Sequence, residues 1–369
     1  MSKHIVIDAR IRRASSGRYV DRLLEHLQDI DNTNRYTVLV EPGDEWKPTN
    51  KNFKTFVCKY RKFSFNPIQQ FTFARQLTKL KPDLVHFAMT GHQPIFYLGK
   101  QVTTTHDLTM FKFTRKGRLP GWLHWLRMKG YWLLIWQGHW KAQKILVPTQ
   151  YVRDAVAKFH LFTNRKIVVT LEASEPPIAG EAARPSAYTT GDFLLYVGSA
   201  FPHKNLRRLV KAFRLIKEQH PTLRLFLVGK KEYHAKRLEK WVAGQDVSGA
   251  VFTGFVPDAE LKWLYENAAA YVFPSLSEGF GLPGLEAMVH GCPVVSSNAT
   301  CLPEVYEDAA HYFDPLDVDD MAQKISEVID NDKLRSSLVE KGRKQAAKYS
   351  WRRMAEQTLE VYNQVLGTN

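Results

Sequence analysis

Two glutamates with seven residues between them, Glu278 and Glu286, bracket the chemically densest stretch of this 369-residue chain. From Ser275 to Met288 it reads S-L-S-E-G-F-G-L-P-G-L-E-A-M. An apolar run ends at Phe273. A turn carrying Gly279, Phe280 and Gly281 follows, and a helix is expected from about Leu282. Pro283 suits its first turn, where a missing N–H costs nothing. The unpaired N–H groups and the positive end of the helix dipole then point at the turn, a ready cradle for a diphosphate. Gly279 and Gly281 let the backbone approach such a ligand closely. Glu278, on the turn, is placed to accept hydrogen bonds from sugar hydroxyls, and Glu286, a turn into the helix, from a ribose diol. Either glutamate alone reads as a solvated surface residue; the ordered combination carries the signal.

A second constellation runs from Tyr196 to Asn205, Y-V-G-S-A-F-P-H-K-N. It reads as strand, loop and helix start, with Asn205 placed to cap the helix. Lys204 would set its ammonium beside a departing diphosphate and lower the barrier to its departure. As a purely structural residue it would oppose the helix dipole. A third constellation, Thr103 to Leu108, ends a strand with His106 and Asp107, where the titration range of histidine suits proton chemistry.

The elements that must hold these residues alternate throughout. Short apolar strands interleave with amphipathic helical stretches, which argues for parallel sheets covered on both faces. Strands are expected at His4–Asp8, Tyr36–Val40, Phe53–Cys58, Leu84–Phe87, Gln101–Thr105, Lys144–Val147 and Lys166–Thr170. Helical periodicity appears at Gly17–Leu27, Pro67–Leu80, Trp122–Trp140 and Tyr151–Phe159. A linker with Pro176, Pro177 and Pro185 follows. The pattern then restarts with strands at Phe193–Val197, Leu223–Val228, Val251–Phe255, Ala270–Phe273 and Pro293–Ser296. Helices are expected at Asn205–Glu218, around Leu285–His290, and at Met321–Asp330, Asp332–Lys348 and Trp351–Leu366. The chain therefore divides into a domain over 1–180 and another over 190–350, with helix 351–366 free to pack back on the first. Ligands of such sheets bind beyond the C-terminal strand ends, so two facing units would form a cleft between them.

The Glu278 to Glu286 spacing with Gly-Phe-Gly-Leu-Pro inside it, followed by Gly291-Cys-Pro-Val-Val-Ser296 and Leu302-Pro-Glu304, resembles the E-x7-E signature of the retaining glycosyltransferases of family 4. The resemblance covers essentially the whole chain and is closest from Tyr196 to Asp314. It implies the α/β GT-B architecture: two facing Rossmann-like doubly wound parallel-sheet domains with an interdomain cleft. It implies transfer of a hexose from a nucleoside diphosphate sugar to a hydroxyl of a glycan or polyprenyl-linked acceptor, with retained anomeric configuration. His106 would hydrogen-bond the sugar, Lys204 would bind phosphate, and Glu278 would act on the sugar as the third catalytic residue. Gly17, Ser199, His203, Lys204, Phe255, Gly279, Phe280, Gly281, Leu282 and Glu286 would line the donor site. The family often has Arg where this chain has Ser199, which leaves one cation to be supplied by His203 or by the basic first half. More glycine is usual in the loop Ser15 to Tyr19, where Gly17 alone is kept and a plain strand-to-helix turn is an equal reading. Residue types around Gly254, Phe255 and Val256 do not name the base; the Gly198–Asn205 segment leans to GDP-mannose.

Charge and aromatic residues are concentrated in the first half. Up to Pro185 there are 30 Lys and Arg against 14 Asp and Glu; from Ser186 there are 22 against 23. Such asymmetry suggests an anionic partner for the first half: a membrane surface, a phosphorylated acceptor or nucleic acid. From Phe111 to Lys144 aromatic residues interleave with Lys112, Arg115, Lys116, Arg127 and Lys129. Trp125, Trp132, Trp136 and Trp140 share a helical face. Trp with Lys favours a lipid boundary, whereas a helix apolar on most sides favours burial.

Other classes have less support. A nucleotide-sugar epimerase of the same architecture would use water and no acceptor. A nucleic-acid binder lacks the compact recognition motifs, so no nucleic-acid partner is expected. A NAD-dependent oxidoreductase lacks G-x-G-x-x-G after its first strand. Cys58, Cys292 and Cys301 have neither metal nor redox spacing, which fits a reducing cytoplasm. No signal segment or membrane-spanning run is seen, so a cytoplasmic protein is expected, peripheral on the inner face of the membrane. No Asp-x-Asp pair stands in the donor region, and Asp319-Asp320 reads as helix-start charge. Neither a metal nor another cofactor is expected.

Overall fold

The computed structural model describes residues 2–14, 16–114, 119–160, 163–245 and 247–368. Ser15, Arg115 and Lys116, named above, lie outside the described residues. The chain forms two compact units, one of residues Met1–Glu172 with Ser350–Asn369 and one of residues Ala173–Tyr349.

In the first unit the described residues form seven parallel strands. These are β1 (His4–Asp8), β2 (Arg35–Val40), β3 (Phe53–Val57), β4 (Leu84–Phe87), β5 (Gln101–Thr104), β6 (Lys144–Val147) and β7 (Ile167–Val169). Their order is β3-β2-β1-β4-β5-β6-β7. β1 is central, pairing Ile5 with Tyr36 on one side and Leu84 on the other. Its five residues are all buried, as expected for a strand covered on both faces. Helix Gly17–Ile30 covers one face with Leu23, Leu24 and Leu27 fully buried.

The last helix, Trp351–Leu366, packs against Gly17–Ile30. Ser350 caps its first turn by accepting from the Arg353 N–H. Its Tyr362 hydroxyl is bonded to His86 Nδ1 on β4 at 2.6 Å, and both side chains are fully buried. His86 Nε2 reaches Thr104 Oγ1 on β5 at 2.8 Å. The final helix is thus pinned to the sheet by a buried polar chain.

The second unit repeats the plan. The described residues form β8 (Phe193–Val197), β9 (Arg224–Val228), β10 (Ala250–Gly254), β11 (Ala270–Phe273), β12 (Val294–Ser297) and β13 (Ala310–Phe313). All pairings are parallel and the order is β10-β9-β8-β11-β12-β13. In both units the order reverses beside the first strand, which is the point where doubly wound sheets bind ligands.

Most strand and helix ends fall within a residue or two of the sequence reading. Helices Tyr233–Ala243 and Asp258–Asn267, the short helices Thr109–Lys112 and Leu302–Tyr306, and strand β13 are absent from it. The first buries only Ala235, Leu238 and Val242 and has no side-chain cap. β13 is four residues long with two only partly buried, too short for a periodicity to show. Asn205 corrects the expected cap. It precedes helix Leu206–Gln219 in a left-handed conformation, φ 61°, with no side-chain capping bond. Its Nδ2 instead donates to the Pro315 carbonyl at 2.7 Å, and its Oδ1 accepts from Arg208.

Candidate functional site

In the second unit, β8 and β11 lie side by side at the reversal of strand order, and the loops after them carry the candidate donor residues. After β8 the chain turns at Gly198, φ 150°, and the Tyr196 hydroxyl donates to the Ser199 carbonyl at 2.8 Å. The loop after β9 presses on it: a Cβ at Gly229 would lie 2.0 Å from the Gly198 oxygen, so only glycine fits. A single tight turn, Pro202–Lys204, then delivers Lys204.

Lys204 meets Glu278 across this junction. Its Nζ donates to Glu278 Oε1 at 2.6 Å, with the two side chains 15% and 13% exposed. The same ammonium lies 5.5 Å from the centre of the Phe273 ring, at the end of β11. The Glu278 N–H is fixed by Thr300 Oγ1 at 3.1 Å. Burial, and then the Glu278 charge, raise the hydroxyl pKa of Tyr196 well above the ordinary range. Tyr271 and Tyr306 shift the same way, chiefly through burial. The carboxylate thus sits over a dry floor of neutral tyrosines, where charge interactions are strong.

Gly281 ends the turn at φ 100°, directly before helix Leu282–Val289. A Cβ there would lie 2.6 Å from Tyr306 Oη and 2.7 Å from Leu302 Cδ2. The Tyr306 hydroxyl donates to the Gly281 carbonyl at 2.5 Å, which locks the turn. Pro283 lies in the first helical turn, as expected. Phe280 is buried with its ring edge-on to Tyr349 at 5.4 Å, so its side chain supports the loop and does not face solvent. Leu282 and Glu286 are partly buried on the helix. His203 is buried against Phe201, and its carbonyl accepts from the Leu276 N–H at 2.7 Å. Ser199 supplies no charge. Phe255 follows β10 and is 74% exposed.

Lys230 and Lys231, which the sequence reading passed over, line a small recess with Tyr196, Gly198 and Phe252. Lys231 is paired with Glu239 at 3.0 Å. Their signal in the sequence is a glycine at a strand end followed by two cations, parallel to the Gly198 loop.

In the first unit, His106 follows β5 and is buried. Its Nδ1 lies 3.1 Å from Glu172 Oε1 and its Nε2 3.0 Å from the Ala88 carbonyl oxygen. Tyr19 meets the ring edge-on at 4.8 Å. Glu172 was not foreseen: it is 66 residues away in sequence. Asp107 accepts from the Thr109 N–H and is exposed. Gly17 has a local structural reason, since a Cβ there would lie 1.8 Å from the Arg12 carbonyl oxygen.

The helix Gly121–Lys141 is divided. Its buried residues run from Leu134 to His139, while Trp122, Trp125 and Leu126 near its start are 65%, 58% and 50% exposed. Trp132, Trp136 and Trp140 stack in a row at 6.1 and 6.3 Å. No helix among the described residues is long and apolar enough to cross a membrane.

Parallel sheets in the 3-2-1-4 order, with a lysine, glycines and a carboxylate at the strand ends of the second, define a two-unit doubly wound α/β protein. Known proteins narrow this. Residues 181–345 match the model of glycosyl transferases group 1, and residues 16–171 match that of glycosyltransferase family 4. O-antigen chain mannosyltransferase B of Escherichia coli is 32% identical over 284 residues, 73% of each chain. The fold is shared with sucrose-phosphate synthase from Thermosynechococcus elongatus, at TM-score 0.76 and 17% identity over the whole of both chains. It is also shared with Anabaena HepE in complex with UDP, at TM-score 0.70 and 14% identity over 98% of this chain and 100% of that one. The chain belongs to the group 1 glycosyltransferases, family 4, and is a hexosyltransferase of GT-B fold.

Proposed function

We propose that this enzyme moves a hexose, mannose in the first instance, from a nucleoside diphosphate sugar to a hydroxyl of a glycan or lipid-linked acceptor, with the anomeric configuration retained. The observation that carries the reading is the Lys204–Glu278 pair, held over the reversal point of the second sheet and beside the start of helix Leu282–Val289. Lys204 and the first amides of that helix neutralise the diphosphate as its bond to the sugar breaks. Glu278 accepts from hydroxyls of the sugar, and Glu286 from the ribose. Ser199, His203, Gly279, Phe280, Gly281 and Leu282 shape the donor loop, with Phe255 near the base and Gly17 at the turn opening the first unit. His106 donates to the transferred sugar. The departing diphosphate takes the acceptor proton, so the protein supplies orientation and charge more than a nucleophile. Mannose is favoured because the 32%-identical relative is a mannosyltransferase, as are two further relatives, at 33% identity over 28% of one and 36% over 32% of the other.

Thermal shift against GDP, UDP and ADP and their sugars tests this directly, because a ligand stabilises with the logarithm of its excess over Kd. Stabilisation by GDP and GDP-mannose is expected; silence towards every nucleotide would sink the reading. Product analysis with GDP-mannose separates transfer from epimerisation. Because the Asp-x-Asp pairs of the second unit, Asp317 with Asp319 and Asp330 with Asp332, stand at helix ends and not on the loops that carry Lys204 and Glu278, turnover is expected to persist in excess chelator, and a loss restored by Mg²⁺ would count against that.

The first unit carries a separate partner. Fourteen of the seventeen exposed large apolar side chains among the described residues belong to it; only Tyr233, Phe255 and Leu316 belong to the second. With its excess of Lys and Arg, this surface fits an anionic bilayer that holds the acceptor. Co-sedimentation with anionic vesicles at low salt is expected, and no retention would remove the membrane from the scheme.

A further inference from the structure

Both ring nitrogens of His106 are in use, and the chemistry of their partners is informative. A carboxylate and a backbone carbonyl only accept hydrogen bonds. With Glu172 at Nδ1 and the Ala88 oxygen at Nε2, each nitrogen must carry hydrogen. The side chains of His106 and Glu172 are each only 8% exposed, so little water competes for either bond. Tyr19 closes the ring from the side, and its own hydroxyl is tied to Thr104 Oγ1 at 3.0 Å.

We propose that Glu172 is a positioning residue: it fixes the His106 ring through Nδ1 and keeps Nε2 as a donor, which a sugar oxygen takes over from the Ala88 carbonyl. The proposal rests on the reading of His106 as the sugar-contacting histidine.

The groups that face the His106 ring are Glu172 from the segment after β7, Asp107 next in the chain, Tyr19 from helix Gly17–Ile30 and His86 from β4. Burial pulls the His106 pKa down. The Glu172 hydrogen bond and charge, the Ala88 carbonyl and Asp107 outweigh it, and the net shift is upward. His86 is pushed down to about 3, by burial first and then by the His106 charge, so it stays neutral beside it. A raised histidine keeps its proton below its folded pKa and loses it as pH rises through that value. Above it, the proton shared with Glu172 stays on Nδ1, and Nε2 is left as an acceptor facing an acceptor. Donation at Nε2 is therefore lost on the alkaline side.

The test uses the full chain. Histidine ring signals are titrated by NMR, with H106A to assign the His106 signal, and conversion of GDP-mannose to GDP is followed against pH for wild type, E172Q and E172D. The isosteric amide in E172Q can hold the ring but brings no charge. The His106 pKa is expected to fall by about one pH unit or more in E172Q, since an opposite charge at this range is worth that much. The alkaline limb of kcat should move to lower pH with it, kcat at the wild-type optimum should drop about tenfold, and E172D should restore part of both. A merely structural Glu172 would change stability and leave the limb where it was. An unmoved His106 pKa in E172Q overturns the proposal, and so does a lowered pKa with an unchanged kcat profile. Wild-type turnover in H106A would overturn the reading of His106 itself, whatever E172Q shows in the titration.

Discussion

The two units share one strand order but differ in what they leave at the surface. The first, with 31 Lys and Arg against 14 Asp and Glu, has a net charge of +17 and exposes a set of Trp, Phe and Leu side chains. The second is near neutral and, among the described residues, exposes only Tyr233, Phe255 and Leu316 of its large apolar side chains. Its strand-end loops depend on glycines, with Gly198, Gly229 and Gly281 at backbone angles or distances no other residue tolerates. A small charged ligand that recurs unchanged demands a fixed loop, because donors must sit within a few tenths of an ångström of its oxygens. A large amphipathic partner demands area and charge, which many side-chain arrangements satisfy.

That contrast can be broken most sharply in the second unit. Lys204→Ala should lower turnover of GDP-mannose by about 10²–10³-fold, the usual cost of one fixed transition-state contact. It should leave vesicle binding unchanged. An equal loss of both would mean that the units are not specialised in this way. Gly281→Ala should cost about 2–3 kcal/mol of stability, because the left-handed angle and the contact with Tyr306 must both be relieved. Denaturant titration of the second unit's transition reads this directly, and an unshifted midpoint would show the turn to be less constrained than drawn.

In the first unit the expected effects are smaller and of another kind. Trp125→Ser should weaken binding to anionic vesicles about tenfold, since moving one large side chain out of the lipid boundary is worth about 1.5–3 kcal/mol before losses. Nucleotide-induced thermal shifts should not change. Tyr362→Phe should destabilise by about 1–2 kcal/mol, because buried His86 Nδ1 loses its partner. Urea titration would check this, and wild-type stability would mean that water replaces the hydroxyl.

Much of the sheet architecture was legible because buried parallel strands are written as short apolar runs, as in His4–Asp8 and Phe193–Val197. The strand–turn–helix junction after β11 was legible because its residues are contiguous: glycine, proline and glutamate fall within one short stretch of chain. What escaped notice is non-local or lacks a period. Glu172 meets His106 only after the sheet has formed, and Thr300 holds the Glu278 amide from the loop after β12. Asn205 looked like a cap, yet its side chain is drawn away by the Pro315 carbonyl 110 residues on. Helix Tyr233–Ala243 is too polar and too thinly buried to announce itself.

The return of helix Trp351–Leu366 to the first sheet has a consequence for biosynthesis. A ribosome emits the first 172 residues, then the whole second unit, before the helix that covers His86 is made. At ~5–20 residues per second the second unit alone occupies the ribosome for about 10–35 s. During that interval the first unit stands with one flank uncovered, dependent on chaperones or on its neighbour's arrival. Nascent chains stalled before Ser350 should be cut readily by protease within residues 1–172, and released full-length chains should not.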